Sequence, residues 1–134
     1  MVLVDTSVWS LALRRTPAPA NDAVEELAHL IRAGNATLIG AIRQELLSGV
    51  RTARHYETLR SHLRAFPDIV VHTTDYEDAA GFYNRCRSKG VQGSNTDFLI
   101  CAVAARHDLA IFTTDGDFTA FARVLPIRLH ETSA

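Results

Sequence analysis

The chain has 134 residues, 47% of them hydrophobic and 22% charged, with a formal net charge of −1. That length suits a single domain, residues 1–134, with one substantial core, and the composition excludes an intrinsically disordered chain. No apolar run nears the ~20 residues of a membrane span, no basic leader precedes the first apolar run, and the near-neutral charge excludes a global attraction to nucleic acid. A cytoplasmic protein without membrane contact is expected.

The first apolar run, Met1 to Val4, is short and continuous, which predicts a strand buried on both faces. Asp5-Thr6-Ser7 brings capping chemistry to a short helix over Val8 to Leu13, which ends before Pro17 and Pro19. Asn21 or Asp22 caps the next helix, whose apolar positions Val24, Leu27, Leu30 and Ile31 keep helical spacing until Gly34 stops it. Ala36 to Ile39 is a second strand. Gly40 leads into a helix striped by Ile42, Leu46, Leu47 and Val50, and a further helix spans Thr52 to Ala65 ahead of Pro67. Ile69 to Val71 is a third strand, and Thr74 to Ser88 a helix closed by Gly90. After a loop containing Gly93, Thr96 to His107 forms the most hydrophobic helix. Ala110 to Phe112 is a fourth strand, Asp117 to Val124 a short helix, and Ile127 to Leu129 an edge strand. Short apolar strands alternating with helices predict an α/β domain built on a parallel sheet of four to five strands.

In such sheets, sites form beyond the carboxyl ends of the strands, where the strand order switches. Asp5 and Asp115 fall at two strand ends, and Glu45 and Asp97 sit early in helical patterns. Each acid alone has a structural explanation. Asp5 turns the chain out of a strand, Glu45 faces solvent, Asp97 meets a helix dipole, and Asp115-Gly116 is a turn with Asp117 as the following N-cap. Gathered at one sheet edge, the four repel one another and their pKa values rise. A hard divalent cation relieves that repulsion. Mg²⁺ or Mn²⁺ binds through a few carboxylates and keeps waters, an arrangement suited to hydrolysing a phosphodiester.

The segments "VLVDTSVW", "IRQELLSG" and "SNTDFLICAVAARHDLAIFTTDGDF", in this order and spacing, resemble a PIN-domain ribonuclease. They are similar in particular to the VapC-type toxins of prokaryotic toxin–antitoxin pairs. The resemblance implies a PIN-like fold and an acidic pocket holding Mg²⁺ or Mn²⁺. Its acids correspond to Asp5, Glu45, Asp97 and Asp115, with Asp117 at a less strict position and hydroxyl help from Thr6 and Thr114. Asp5, Asp97 and Asp115 are then expected to hold the metal, and Glu45 to orient or deprotonate the attacking water. RNA cleavage leaving a 5′-phosphate and a 3′-hydroxyl, a small VapB-type antitoxin and a homodimer are implied as well. The alternatives are a PIN-fold nuclease in RNA processing or on structured DNA, or a non-catalytic receiver-like phospho-acceptor domain.

Other features read more simply. Cys86 and Cys101 lack C-x-x-C partners and are expected as reduced thiols in or near the core. The six histidines lack metal-ligand spacing, and Trp9 belongs to the core or to a partner interface. Arg43 pairs with Glu45, touches substrate phosphate or is solvated. Five arginines between Arg43 and Arg64 mark a basic stretch or a composition bias. Leu11, Leu13, Leu46, Leu47 and Val50 are core residues by default, or a groove for a partner helix.

Overall fold

The computed structural model describes residues 1–13 and 21–132; Pro17 and Pro19, expected to end the first helix, lie outside them. Four short strands, β1 (Val2–Val4), β2 (Ala36–Ile39), β3 (Asp68–Ile69) and β4 (Ala110–Phe112), form one parallel sheet in the order β3-β2-β1-β4. Helices α1 (Thr6–Ala12), α2 (Asp22–Arg32), α3 (Gly40–Leu47), α4 (Ala53–Leu63), α5 (Thr73–Ser88), α6 (Asn95–His107) and α7 (Asp117–Val124) complete the described residues. No helix among them is long and apolar enough to cross a membrane.

Every residue of β1 and β2 is buried, as continuous apolar runs in a covered parallel sheet must be. The side chains of Leu3, Val4, Leu38 and Ile39 are fully sequestered, and Trp9 lies among them. Its indole N–H donates to the Val4 carbonyl at 3.0 Å and its ring meets Phe66 edge-on, so Trp9 is a core residue. Asn21 caps α2 by accepting the Ala23 N–H at 2.8 Å, settling the choice between Asn21 and Asp22. Helix α6 is buried from Phe98 through Ala104 and packs along α5.

Two predicted strands shrink. The third was expected over Ile69 to Val71, but Ile39, the last residue of β2, pairs with Ile69, so Val70 has no partner strand and is exposed. The edge strand over Ile127 to Leu129 is a single parallel bridge between Ile111 and Leu129. Ile111 donates its N–H to Arg128 and accepts one from His130, and the pairing extends no further.

Candidate active site

Strand β1 has neighbours on both sides. The chain steps outward to β2 and then β3 on one side, and returns to place β4 on the other. The switch in order therefore lies between the carboxyl ends of β1 and β4, where parallel α/β sheets open a crevice. Asp5 directly follows β1, and its N–H donates to the Phe112 carbonyl at the end of β4 at 2.8 Å. It occupies the N-cap position of α1 and is 5% exposed, yet its side chain does not cap the helix. Asp5 Oδ2 instead accepts hydrogen bonds from the hydroxyls of Ser7 and Thr113, each at 2.8 Å.

Those two hydroxyls were not among the expected ones. Thr6 and Thr114 were the candidates, and each lies one residue away from the group that reaches Asp5. Thr6 Oγ1 donates to Glu45 Oε1 at 2.8 Å, tying exposed Glu45 on α3 to the residue beside Asp5. Thr114 contributes its backbone N–H to Ser7 Oγ at 3.0 Å. Thr113 also accepts the Asp115 N–H at 3.0 Å, so one hydroxyl links two of the acids. The signal for Ser7 and Thr113 was present in the "DTS" and "TTD" segments, but local sequence does not decide which of two adjacent hydroxyls turns inward.

Asp97 reaches the site from α6. Ser94 caps the helix by accepting the Asp97 N–H at 3.1 Å, and Asp97 Oδ2 accepts the Ser94 N–H at 3.1 Å, a reciprocal capping box. Burial pushes the Asp97 carboxyl above the ordinary aspartate range, against the pull of the Ser94 hydrogen bonds, and the charges of Asp5 and Asp115 push it further. Asp97 therefore feels the charges of two of the other expected acids. Asp115 Oδ1 accepts the Asp117 N–H at 2.9 Å, so Gly116 takes the N-cap position expected of Asp117, which opens α7 and is exposed.

Arg43 lies elsewhere. Its guanidinium donates to Asp68 and to the carbonyls of Leu63 and Phe66, fastening α3 to the turn before β3. It neither pairs with Glu45 nor stands free for substrate, because its donors are taken by the turn that carries β3.

One oxygen of each of the four acids has a hydrogen-bond donor: Asp5 Oδ2, Glu45 Oε1, Asp97 Oδ2 and Asp115 Oδ1. Among the described residues the second oxygen of each has none. This all-oxygen donor set matches in kind what Mg²⁺ or Mn²⁺ takes. Among the described residues, however, no group of three or more His, Cys, Asp or Glu side chains is arranged to hold a metal ion.

Comparison with known proteins agrees with the fold. Residues 2–124 match the PIN domain family. A search of curated proteins found no match. Among solved structures, FitAcB from Neisseria gonorrhoeae superimposes with a TM-score of 0.78 at 23% identity, covering 98% of this chain and 97% of that one. VapBC2 from Rickettsia felis, bound to a DNA fragment from its promoter, gives 0.74 at 18% identity, with 98% of each chain covered. VapBC-5 from Mycobacterium tuberculosis, a member of the VapBC family of toxin–antitoxin systems, gives 0.69 at 17%, again with 98% of each covered. At these identities the likeness is one of fold.

Proposed function

The chain belongs to the PIN-domain family, and on that premise we propose that it is a divalent-cation-dependent endoribonuclease, the toxin of a VapBC-type pair. What supports this reading is that buried Asp5 stands at the switch in strand order, hydrogen-bonded to the end of β4, and that the charges of Asp5 and Asp115 add to the burial that raises the Asp97 carboxyl. A carboxyl held above its ordinary range beside two other acids is a frequent mark of a functional site.

In this reading Asp5, Asp97 and Asp115 would hold Mg²⁺ or Mn²⁺, which when bound would supply charge stabilisation at a phosphoryl oxygen and acidify water. Ser7 and Thr113 orient the Asp5 carboxylate by donating to Oδ2. Thr6 holds one oxygen of Glu45 and leaves the other to take a proton from the water that attacks the scissile phosphorus. The products carry a 5′-phosphate and a 3′-hydroxyl.

The antitoxin and the homodimer belong to the same proposal. The antitoxin is supported by structural likeness to a member of the VapBC toxin–antitoxin family, and a neighbouring reading frame for a small DNA-binding protein is expected. A PIN nuclease of RNA processing or structured DNA is the outcome if that frame is missing. The receiver-like alternative is set aside, because the family match runs through residues 2–124.

Purified protein is expected to cut RNA only with Mg²⁺ or Mn²⁺. Asp5→Ala and Asp97→Ala should lose cleavage while keeping a cooperative melt, and Glu45→Gln should slow it by about 10²–10⁴-fold, the range for a positioned proton acceptor. Full cleavage by a folded Asp97→Ala protein would overturn the assignment.

A further inference from the structure

A second recess adjoins the acidic crevice. A pocket of about 220 Å³ opens between the end of α5 and the loop into α6, lined by Tyr83, Arg87, Val91, Gln92, Gly93 and Phe98. Its wall is built from packed aromatics. Phe98 is buried and meets the Tyr83 ring edge-on at 5.6 Å, with Phe121 of α7 packed behind it at 4.9 Å. Gly93 is required there, because a Cβ would stand 2.5 Å from the Phe121 ring. The loop backbone thus lies directly on the aromatic pair.

The polar groups on this pocket are unspent. Among the described residues, the Arg87 guanidinium, the Tyr83 hydroxyl and the Gln92 amide make no hydrogen bond or ion pair. The surrounding chain is uniformly basic, since residues 79–96 carry Arg85, Arg87 and Lys89 and no Asp or Glu. That basic strip runs up to Asp97. Gly93 is followed by Ser94, whose N–H is bonded to Asp97 Oδ2. Four residues of chain span at most about 14 Å, so an occupant of the pocket and a phosphate at Asp97 would belong to one short stretch of strand.

We propose that this pocket is a nucleotide subsite of the nuclease centre, taking one unstacked base and its phosphate from single-stranded RNA. The inference rests on the nuclease reading above. At about 220 Å³ the pocket falls below the ~300–1,000 Å³ typical of sites for drug-sized ligands, which suits a single ring system. Tyr83, Val91 and Phe98 give the base an apolar and aromatic wall, as single-stranded RNA recognition commonly uses. Gln92 offers both a donor and an acceptor to the base edge. Arg87 presents the planar fork that pairs bidentately with a phosphate. The subsite would select which nucleotide lies beside the scissile bond, while the acids do the cutting.

The test is a titration of ¹⁵N-labelled protein, without divalent cation, with the 5′-monophosphates of adenosine, guanosine, cytidine and uridine, alongside mapping of RNA cut positions. At least one nucleotide should shift the amide signals of Arg87, Gln92 and Gly93 saturably. Arg87→Gln should bind it about tenfold more weakly with an unchanged Tm, and Gln92→Ala should alter which nucleotide flanks the cut. Shifts confined elsewhere, or binding and cut positions indifferent to Arg87→Gln, would overturn the subsite even if RNA is cleaved normally. Nucleotide binding at these amides in a protein that cuts no RNA would uphold the pocket and refute the nuclease.

Discussion

Asp97 serves two opposed purposes. Its Oδ2 accepts the Ser94 N–H, and its negative charge at the start of α6 meets the helix dipole, worth ~0.3–1 kcal/mol. Burial, with Asp5 and Asp115 nearby, disfavours that same charge and lifts its pKa. An acid whose folded pKa exceeds its unfolded value of ~3.9 makes the fold less stable at neutral pH and more stable as pH falls through the folded value. Asp97→Asn keeps an oxygen for the Ser94 N–H and removes the charge. Its Tm at pH 7, without divalent ions, should exceed that of the wild type, and the gap should close as pH falls through the Asp97 titration. Mg²⁺ should raise the wild-type Tm and leave the Asn variant nearly unmoved, because an ion that binds only the folded state stabilises by mass action. Equal melts at pH 7 would show that the crowding of acids costs nothing.

Among the elements, the joint between α5 and α6 has the clearest single fastener. Asp75, in the first turn of α5, is fully buried and accepts two hydrogen bonds from Arg106 near the end of α6, at 2.6 and 2.8 Å. It also accepts the His72 N–H at 2.8 Å, and Arg106 reaches on to the Val70 carbonyl. One carboxylate thus joins the chain after β3, the start of α5 and the end of α6. The Arg106 hydrogen bonds, with help from the His72 N–H, hold the Asp75 carboxyl below its ordinary range despite burial. Its stability contribution is complete above the unfolded pKa of ~3.9 and is lost as pH falls through the depressed folded value. Asp75→Ala should lower the midpoint of urea unfolding, because it leaves the His72 N–H without its acceptor and unties Arg106 from the start of α5. Nothing local in the sequence revealed this. Asp75 lies in an acidic stretch without Lys or Arg, and its partner is 31 positions away. The helices themselves were legible, since Asn21 is a strong N-cap and Gly34 and Gly90 take positive φ just past helix ends.

At the scale of the molecule, the core closes over β1 and α6, and both cysteines lie within it at 0% exposure. Burial raises the pKa of each thiol, and the charges of Asp97 and Asp5 add to the rise at Cys101. Native protein should therefore resist a thiol reagent such as DTNB, reacting at least ~10³-fold more slowly than unfolded protein, in step with global opening. Fast labelling of one cysteine in the native state would reveal local separation of α5 from α6. The element order was readable from the sequence because a strand covered on both faces is a continuous apolar run and a helix repeats its apolar face. The acids were readable as candidates because the segments carrying them are specific. The tertiary structure decided what those patterns leave open. The order β3-β2-β1-β4 put Asp5 beside the end of β4, a long-range pairing that no local pattern encodes. Side-chain direction then selected Ser7 and Thr113 over Thr6 and Thr114, since neighbouring residues on an extended chain or a helix point different ways.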